Sequence, residues 1–448
     1  MTNDEIRMTN EEKSAIEEPH GRRLASSLSS ESDDPLILLR ADWIAPLHHP
    51  GDGLIRHGGV VIQGGRILAV GEGDALKSLH PTATPRDLGA VILLPGLINA
   101  HVHLELSDLH SGAPPAGGFG PWLLNLATRS AGPAHQVASL VEDAVQQGVR
   151  QCLRFGVTSV GDISRQCALT RPLLRNGPLR VTSYGEIQAM AGRRSLFAER
   201  FAIAADQAAA SDHLRIGLTP HAPYTVEPAG YAACLLAARA GALPLATHLA
   251  ETREEAEFLA AHIGPFRELW EALGQWDDRV PRFTGGPIRF AQSIGLLDHP
   301  TLLAHVNYCD DDEMNILAAG RASVVYCPRT HRYFGHPPHR WKQMLARRIN
   351  VAIGTDSCAS SPDLNLVDDL RLVHEIAPDH PVDELWRMVT HRAAVAIDAG
   401  LNVGSLTPGK HANFAVFPAE SNDPLTAILE HRLLPLQTWI AGEIVHSL

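Results

Sequence analysis

Val91-Ile92-Leu93-Leu94-Pro95-Gly96-Leu97-Ile98-Asn99-Ala100-His101-Val102-His103 decides how this 448-residue chain is read: an apolar run of strand type that ends in two histidines one residue apart. Side chains alternate along a strand with period 2, so His101 and His103 point the same way and can grip one ion together. Working outward, three more patches follow short apolar runs: Thr247-His248-Leu249-Ala250-Glu251, Ala304-His305-Val306-Asn307 and Gly354-Thr355-Asp356-Ser357. A third histidine and an aspartate arriving from other strands complete a mixed nitrogen and oxygen shell of the kind zinc or iron accepts.

The apolar runs that carry these patches number about eight, as a barrel requires. They span 91–99, 157–162, 180–186, 214–219, 244–250, 301–306, 322–327 and 350–355. Between them lie Ala-, Leu- and Arg-rich stretches with helical spacing, among them 137–155, 229–240 and 254–262. Strand alternating with helix predicts a parallel sheet, and eight repeats close as an α/β fold of the (β/α)8 TIM-barrel type. The candidate ligands sit at the carboxyl ends of runs one, five, six and eight, the rim where such barrels do chemistry.

The ordered set Pro95-Gly96-Leu97-Ile98-Asn99-Ala100-His101-Val102-His103, His248 with Glu251, His305, and Gly354-Thr355-Asp356 resembles the amidohydrolase superfamily. The likeness is to its aminohydrolase branch of cytosine, guanine and adenosine-type deaminases and triazine chlorohydrolases, and it runs from about Leu36 to the end of the chain. The resemblance implies a small composite β-sandwich built from both chain ends. Short β-rich segments at 36–46, 60–70 and 86–94, and again at 409–417 and 437–446, supply it. The expected organisation is an N-terminal extension over 1–34, sandwich over 35–94, barrel over 95–400 and sandwich again over 401–448.

Superfamily members with two metals commonly bridge them with a carboxylated lysine on strand four. This chain has only Lys13, Lys77, Lys342 and Lys410, none on barrel strands two to six. Glu186 or a cysteine remains as an alternative bridge; the simpler expectation is one divalent ion per chain, Zn2+ or Fe2+, held by His101, His103, His248 and Asp356. By the resemblance, Asp356 also takes the proton of the attacking water and His305 orients it. Glu251, three residues beyond His248, would protonate a ring nitrogen and pass a proton to the leaving amine.

Substrate contacts are expected from four side chains. Thr219-Pro220-His221-Ala222-Pro223-Tyr224-Thr225 is similar to a substrate-facing segment of S-adenosylhomocysteine and aminofutalosine-type deaminases, which sets His221 against base or ribose. Trp122 offers a stacking face, with a packing aromatic as the plainer reading. Arg193 or Arg194 offers an anchor for a carboxylate or hydroxyl, with a solvated arginine as the plainer reading. Asp162 and Glu186 either orient ligand histidines or make structural hydrogen bonds.

Composition narrows the class. A net charge of −12 argues against nucleic-acid and acidic-membrane partners, and no run of about 18 apolar residues predicts a membrane span. Residues 1–34 are Glu-, Asp- and Ser-rich without an apolar core, which predicts a disordered extension and not a signal peptide. Six cysteines without a CxxC read as reduced buried thiols, so a cytoplasmic location is expected. The leading expectation is a metal-dependent deaminase of an adenine-type nucleoside, of the aminodeoxyfutalosine, S-adenosylhomocysteine or methylthioadenosine class. A free-base, triazine or imidazolone hydrolase and a non-catalytic barrel scaffold are the alternatives. The partner is a small heterocyclic substrate, and a homo-oligomer stays open.

Overall fold

The computed structural model describes residues 34–114, 117–128, 133–419 and 421–448. Nearly all of the expected N-terminal extension lies outside the described residues. Eight strands follow one another in a single parallel sheet: Leu97–Val102, Val157–Ser164, Arg180–Ile187, Leu214–Pro220, Leu245–Leu249, Thr301–His305, Ser323–Tyr326 and Asn350–Ile353. They are called here barrel strands one to eight. Helices such as Ala134–Arg154 and Pro228–Gly241 make the crossovers that parallel neighbours need.

Strands eight and one close the ring. Val102 bridges Asp356, the Asp356 N–H donates to the His101 carbonyl (3.0 Å), and the Asn99 side chain bonds both the Thr355 N–H (3.0 Å) and the Thr355 hydroxyl (2.7 Å). Inside the ring Ile98, Ala100, Ala246, Leu302, Ala304, Val325 and Ala352 form one apolar cluster, and Ala393, Ala394 and Ile397 cap it from below. The small inward residues leave room for that plug.

The sequence-predicted first run, 91–99, divides between two sheets. Val91–Pro95 leaves the barrel and pairs with the flanks, while Leu97–Val102 enters the ring. Pro95 and Gly96 mark the division. A Cβ on Gly96 would stand 2.3 Å from Thr158 Oγ1, so only glycine lets the chain pass the second strand there.

Both chain ends build the second sheet. Ile37–Ile44 pairs with Ile55–Gln63, Thr84–Asp87 and Val91–Pro95; the last pairs with Phe414–Pro418, followed by Gln437–Ile440 and Glu443–Ser447. The sheet curls so that its edge strand Arg66–Glu72 reaches the segment leading into Phe414–Pro418, with Ala412 N–H donating to the Gly65 carbonyl (2.9 Å) and Ile67 N–H to the Lys410 carbonyl (2.9 Å). Leu39, Ile44, Val60, Ile67, Leu93, Phe414 and Trp439 fill the enclosed core.

Candidate metal centre

The four patches converge at the carboxyl ends of barrel strands one, five, six and eight. Donor atoms of His101, His248 and His305 lie within 4.8 Å of one another, as do those of His101, His103 and Asp356, and those of Glu251, His305 and Asp356. His103 Nε2 is 3.5 Å and His101 Nε2 3.7 Å from Asp356 Oδ1. Two donors about 2.1 Å from one ion at a tetrahedral angle stand about 3.4 Å apart, so these spacings suit ligands facing a shared divalent ion. Neither nitrogen of the fully buried His101 has a hydrogen-bond partner, an arrangement that costs free energy unless a ligand uses the lone pair. The donor set therefore fits one divalent metal.

Local backbone devices aim these side chains. Alternation from Ile98 and Ala100, both inward, would turn His101 outward. A bulge between Asn99 and Val102 resets the phase, so Val102 joins the outer core and His101 faces the ring interior. His305 follows the inward Ala304 and reaches the same side through a left-handed backbone, φ 74°. Asp356 (φ 59°) and Ala250 (φ 51°) are also left-handed, and such strain in non-glycine residues gathers at functional sites. His248 Nδ1 lies 3.1 Å from the His221 carbonyl, which can only accept; its proton is thereby fixed on Nδ1 and Nε2 is left bare for a metal.

Burial sets the charges. It pushes His101, His103 and His305 well below their ordinary range, with neighbouring imidazoles adding to the effect, and it takes His248 and His221 down to about 3. Neutral imidazoles are the ligating form. Burial also raises Asp356 to about 6, against the Ser357 N–H (2.8 Å) and Ser360 hydroxyl (3.3 Å) that hold the carboxylate. Glu251 is pushed well above the usual carboxylate range by burial first, then by Asp356 and Glu255; a hydrogen bond from Tyr224 opposes the shift. Glu251 Oε1 stands 3.4 Å from His305 Nε2, and its N–H donates to Glu255 Oε2 (3.0 Å).

A cleft opens above this centre, lined by His221, Trp122 and Arg193 among others, but not by Arg194. Arg194 is paired with Glu227 (2.7 Å) and Asp277 (3.0 Å) and holds two loops together. His221 Nδ1 meets the Thr225 hydroxyl at 2.8 Å. Trp122 packs edge-on to Phe334 at 5.1 Å between ring centres, and the Arg193 guanidinium lies 5.8 Å from the Trp270 ring centre. Asp162 accepts the Leu104 N–H (3.0 Å), a structural bond, whereas Glu186 lines the cleft and accepts from Gln188 (2.7 Å).

Sequence reading missed Arg165, Gln188 and Trp270, which line the cleft, and gave Tyr224 no role of its own within the substrate-facing segment. Arg165 and Gln188 directly follow barrel strands two and three, so their place on the rim was a usable signal. Trp270 lies on Pro265–Ala272, in the crossover between strands five and six, and no local pattern points to the mouth.

The family model described as "Amidohydrolase family" matches residues 92–445, and one described as "Imidazolonepropionase-like composite domain, bacteria" matches residues 58–83. A 5-methylthioadenosine/S-adenosylhomocysteine deaminase of Nitratidesulfovibrio vulgaris is 26% identical over 423 residues, 88% of each chain. An aminodeoxyfutalosine deaminase of Deinococcus radiodurans is 31% identical over 344 residues, covering 72% of this chain and 77% of that protein. Among solved structures, Helicobacter pylori aminofutalosine deaminase in complex with methylthio-coformycin superposes with a TM-score of 0.80 at 21% identity, over 92% of this chain and 100% of that one. An adenosine deaminase from Xanthomonas campestris with bound zinc gives 0.76 at 21% identity, over 91% and 92%. With its barrel, its ligand cluster and a family match across most of its length, this chain belongs to the amidohydrolase family.

Proposed function

We propose that the protein is a zinc-dependent hydrolytic deaminase that releases ammonia from an adenine-bearing nucleoside, of the methylthioadenosine, S-adenosylhomocysteine or aminodeoxyfutalosine class. The observation that carries this reading is Glu251: a buried carboxyl beside the ligand cluster, with Tyr224 and His305 on it and a proton favoured by burial. The names of the two relatives support the substrate class, and the zinc-bound structure of the same fold supports the metal. His101, His103, His248 and Asp356 would hold a divalent ion, which would supply Lewis acidity toward water near neutral pH. Asp356 Oδ1 would take a proton from the attacking water. His305 Nε2 orients the attacking oxygen. Glu251 gives its proton to the ring nitrogen, which makes the adjacent carbon electrophilic; it then takes the remaining proton of the added oxygen and passes it to the departing amine, and the proton first taken by Asp356 restores the Glu251 acid.

His221, Trp122, Arg193, Arg165 and Gln188 supply the cleft wall that would hold base and ribose. Arg194 is assigned to structure instead, since both its carboxylate partners are already in place. We also place the protein in the cytoplasm. Six free cysteines support this, and among the described residues no helix is long and apolar enough to cross a membrane.

The test is ammonia release by protein of known metal content, over 5′-methylthioadenosine, S-adenosylhomocysteine, aminodeoxyfutalosine, adenine, guanine, cytosine and a triazine. The nucleosides are expected to turn over with a kcat/KM several powers of ten above adenine, because a site that hydrogen-bonds ribose leaves buried polar groups unpaired with the base alone. Better turnover of a free base or triazine than of every nucleoside would overturn the reading.

A further inference from the structure

A second cavity lies at the opposite end of the barrel from the metal centre. It is roughly 470 Å³ in volume and opens where the starts of barrel strands two to four meet the curled sheet. Arg180 begins the third barrel strand and lines this cavity, while Glu186, six residues on, lines the metal cleft. At about 3.3 Å per residue the two ends stand about 20 Å apart.

The lining is rich in donors. Arg66 comes from the sheet, Arg180 and Arg215 from the barrel, and His213 and His411 stand among them; Asp212 is the one carboxylate among the lining residues. Arg215 is paired with Asp398 at 2.9 Å. Arg66 and Arg180 have no carboxylate within ion-pair distance among the described residues, and donate instead to the carbonyls of Gly409 (2.8 Å) and Asp212 (2.9 Å). Arg180 also approaches His411 Nδ1 at 3.1 Å. A guanidinium can only donate, so that nitrogen is bare, the imidazole is neutral and its proton sits on Nε2. Three buried polar atoms of the lining have no partner at all: Arg180 Nε, Ser159 Oγ and His213 Nδ1. The first is a donor by necessity and the second can be one. Burial, then the charge of Arg66, disfavours the Arg180 cation. Arg66 and Arg180 face Asp212 as the one opposing charge of the lining, a local inversion of sign in a chain of net charge −12.

We propose that this cavity is a binding site for a phosphate group, free or as the monoester of a small metabolite. Arg66 and the terminal nitrogens of Arg180 would donate to its oxygens. Since the ligand touches barrel and sheet together, it ties the two, and its binding adds to the stability of the folded chain.

Calorimetric titration and thermal denaturation of the metal-loaded full-length protein test this. Inorganic phosphate and ribose 5-phosphate are the probes, at constant ionic strength with chloride as the reference. Saturable binding, with a rise in Tm that chloride does not reproduce, is expected, and affinity should fall at least tenfold in Arg66→Gln and Arg180→Gln. Arg66 is exposed, so its variant reports even if the Arg180 variant does not fold. His221→Ala, in the distant cleft, should bind phosphate as the parent does. Tighter binding of the ester assigns the site to a phosphorylated metabolite, and equal affinity assigns it to phosphate itself; both support the proposal. No saturable binding of either probe, unchanged affinity in Arg66→Gln, or loss of binding in His221→Ala would overturn it. Binding is read directly, so the outcome is independent of which nucleoside the metal centre turns over.

Discussion

Glu251 is a carboxyl held where ionisation is costly, beside another carboxyl and away from water, and that is the condition for a proton donor near neutral pH. Glu251→Gln keeps the shape and removes the proton. Its turnover is expected to fall by about 10²- to 10⁴-fold while metal content stays at the parent's level, measured side by side on the same preparation. Loss of the metal in that variant would show Glu251 to be a ligand. His101 is the complementary case, since its two unpartnered nitrogens make it a residue with no structural hydrogen bond to lose. His101→Ala should therefore lose metal and activity together, and the parent should hold one tightly bound ion per chain; two ions by elemental analysis would contradict the single-metal centre.

At the level of elements, the metal cleft depends on how barrel strands one and eight meet. A Cβ on Gly354 would stand 2.7 Å from the His101 carbonyl oxygen and 2.8 Å from the His101 Cβ, so the seam admits no side chain there. Gly354→Ala is expected to cost about 1–3 kcal/mol of stability, the usual range for overpacking, and to weaken metal binding because the strain falls on a ligand. Denaturant unfolding of the metal-free and metal-loaded forms separates the two effects. Asn99→Ala removes the two hydrogen bonds to Thr355 and leaves that buried amide and hydroxyl without those partners. A loss of about 1–3 kcal/mol follows, with no chemical role for Asn99 to confuse the result. Unchanged stability in both variants would mean that the seam is not what holds His101 and Asp356 in register.

Across the whole molecule, buried titratable groups of opposite type set the pH range of stability. Glu105 and Glu255 are each raised to about 8 by burial. Their contribution is fully present below the unfolded value near 4.5 and is lost as pH rises through about 8. His336, His391 and His411 are lowered to about 4, also by burial. Theirs is present above the unfolded value near 6.5 and is lost as pH falls toward 4. Of these five groups, only the two acids change the balance between pH 6.5 and 8, and between 4.5 and 6.5 the three histidines outweigh them. Tm should pass through a maximum near pH 6.5 and fall on both sides, and a Tm that climbs steadily from pH 6.5 to 9 would refute the assignment. The same contrast between local and distant causes separates what was legible in the sequence. Eight strands, their parallel order and the candidate donors His101, His103, His248, Glu251, His305 and Asp356, which the fold gathers, could be read from apolar runs and residue types, because strand formation and donor type are properties of short segments. Tertiary structure alone decided that the first run splits at Pro95-Gly96, since Thr158 on the next strand excludes a side chain there. It also decided that Arg193 faces the cleft while Arg194 is bound by Glu227 and Asp277, and that a bulge and a left-handed histidine turn His101 and His305 inward. Each of these depends on atoms brought close by folding from segments far away in the chain, and no pattern within one segment can record what its distant neighbours will be.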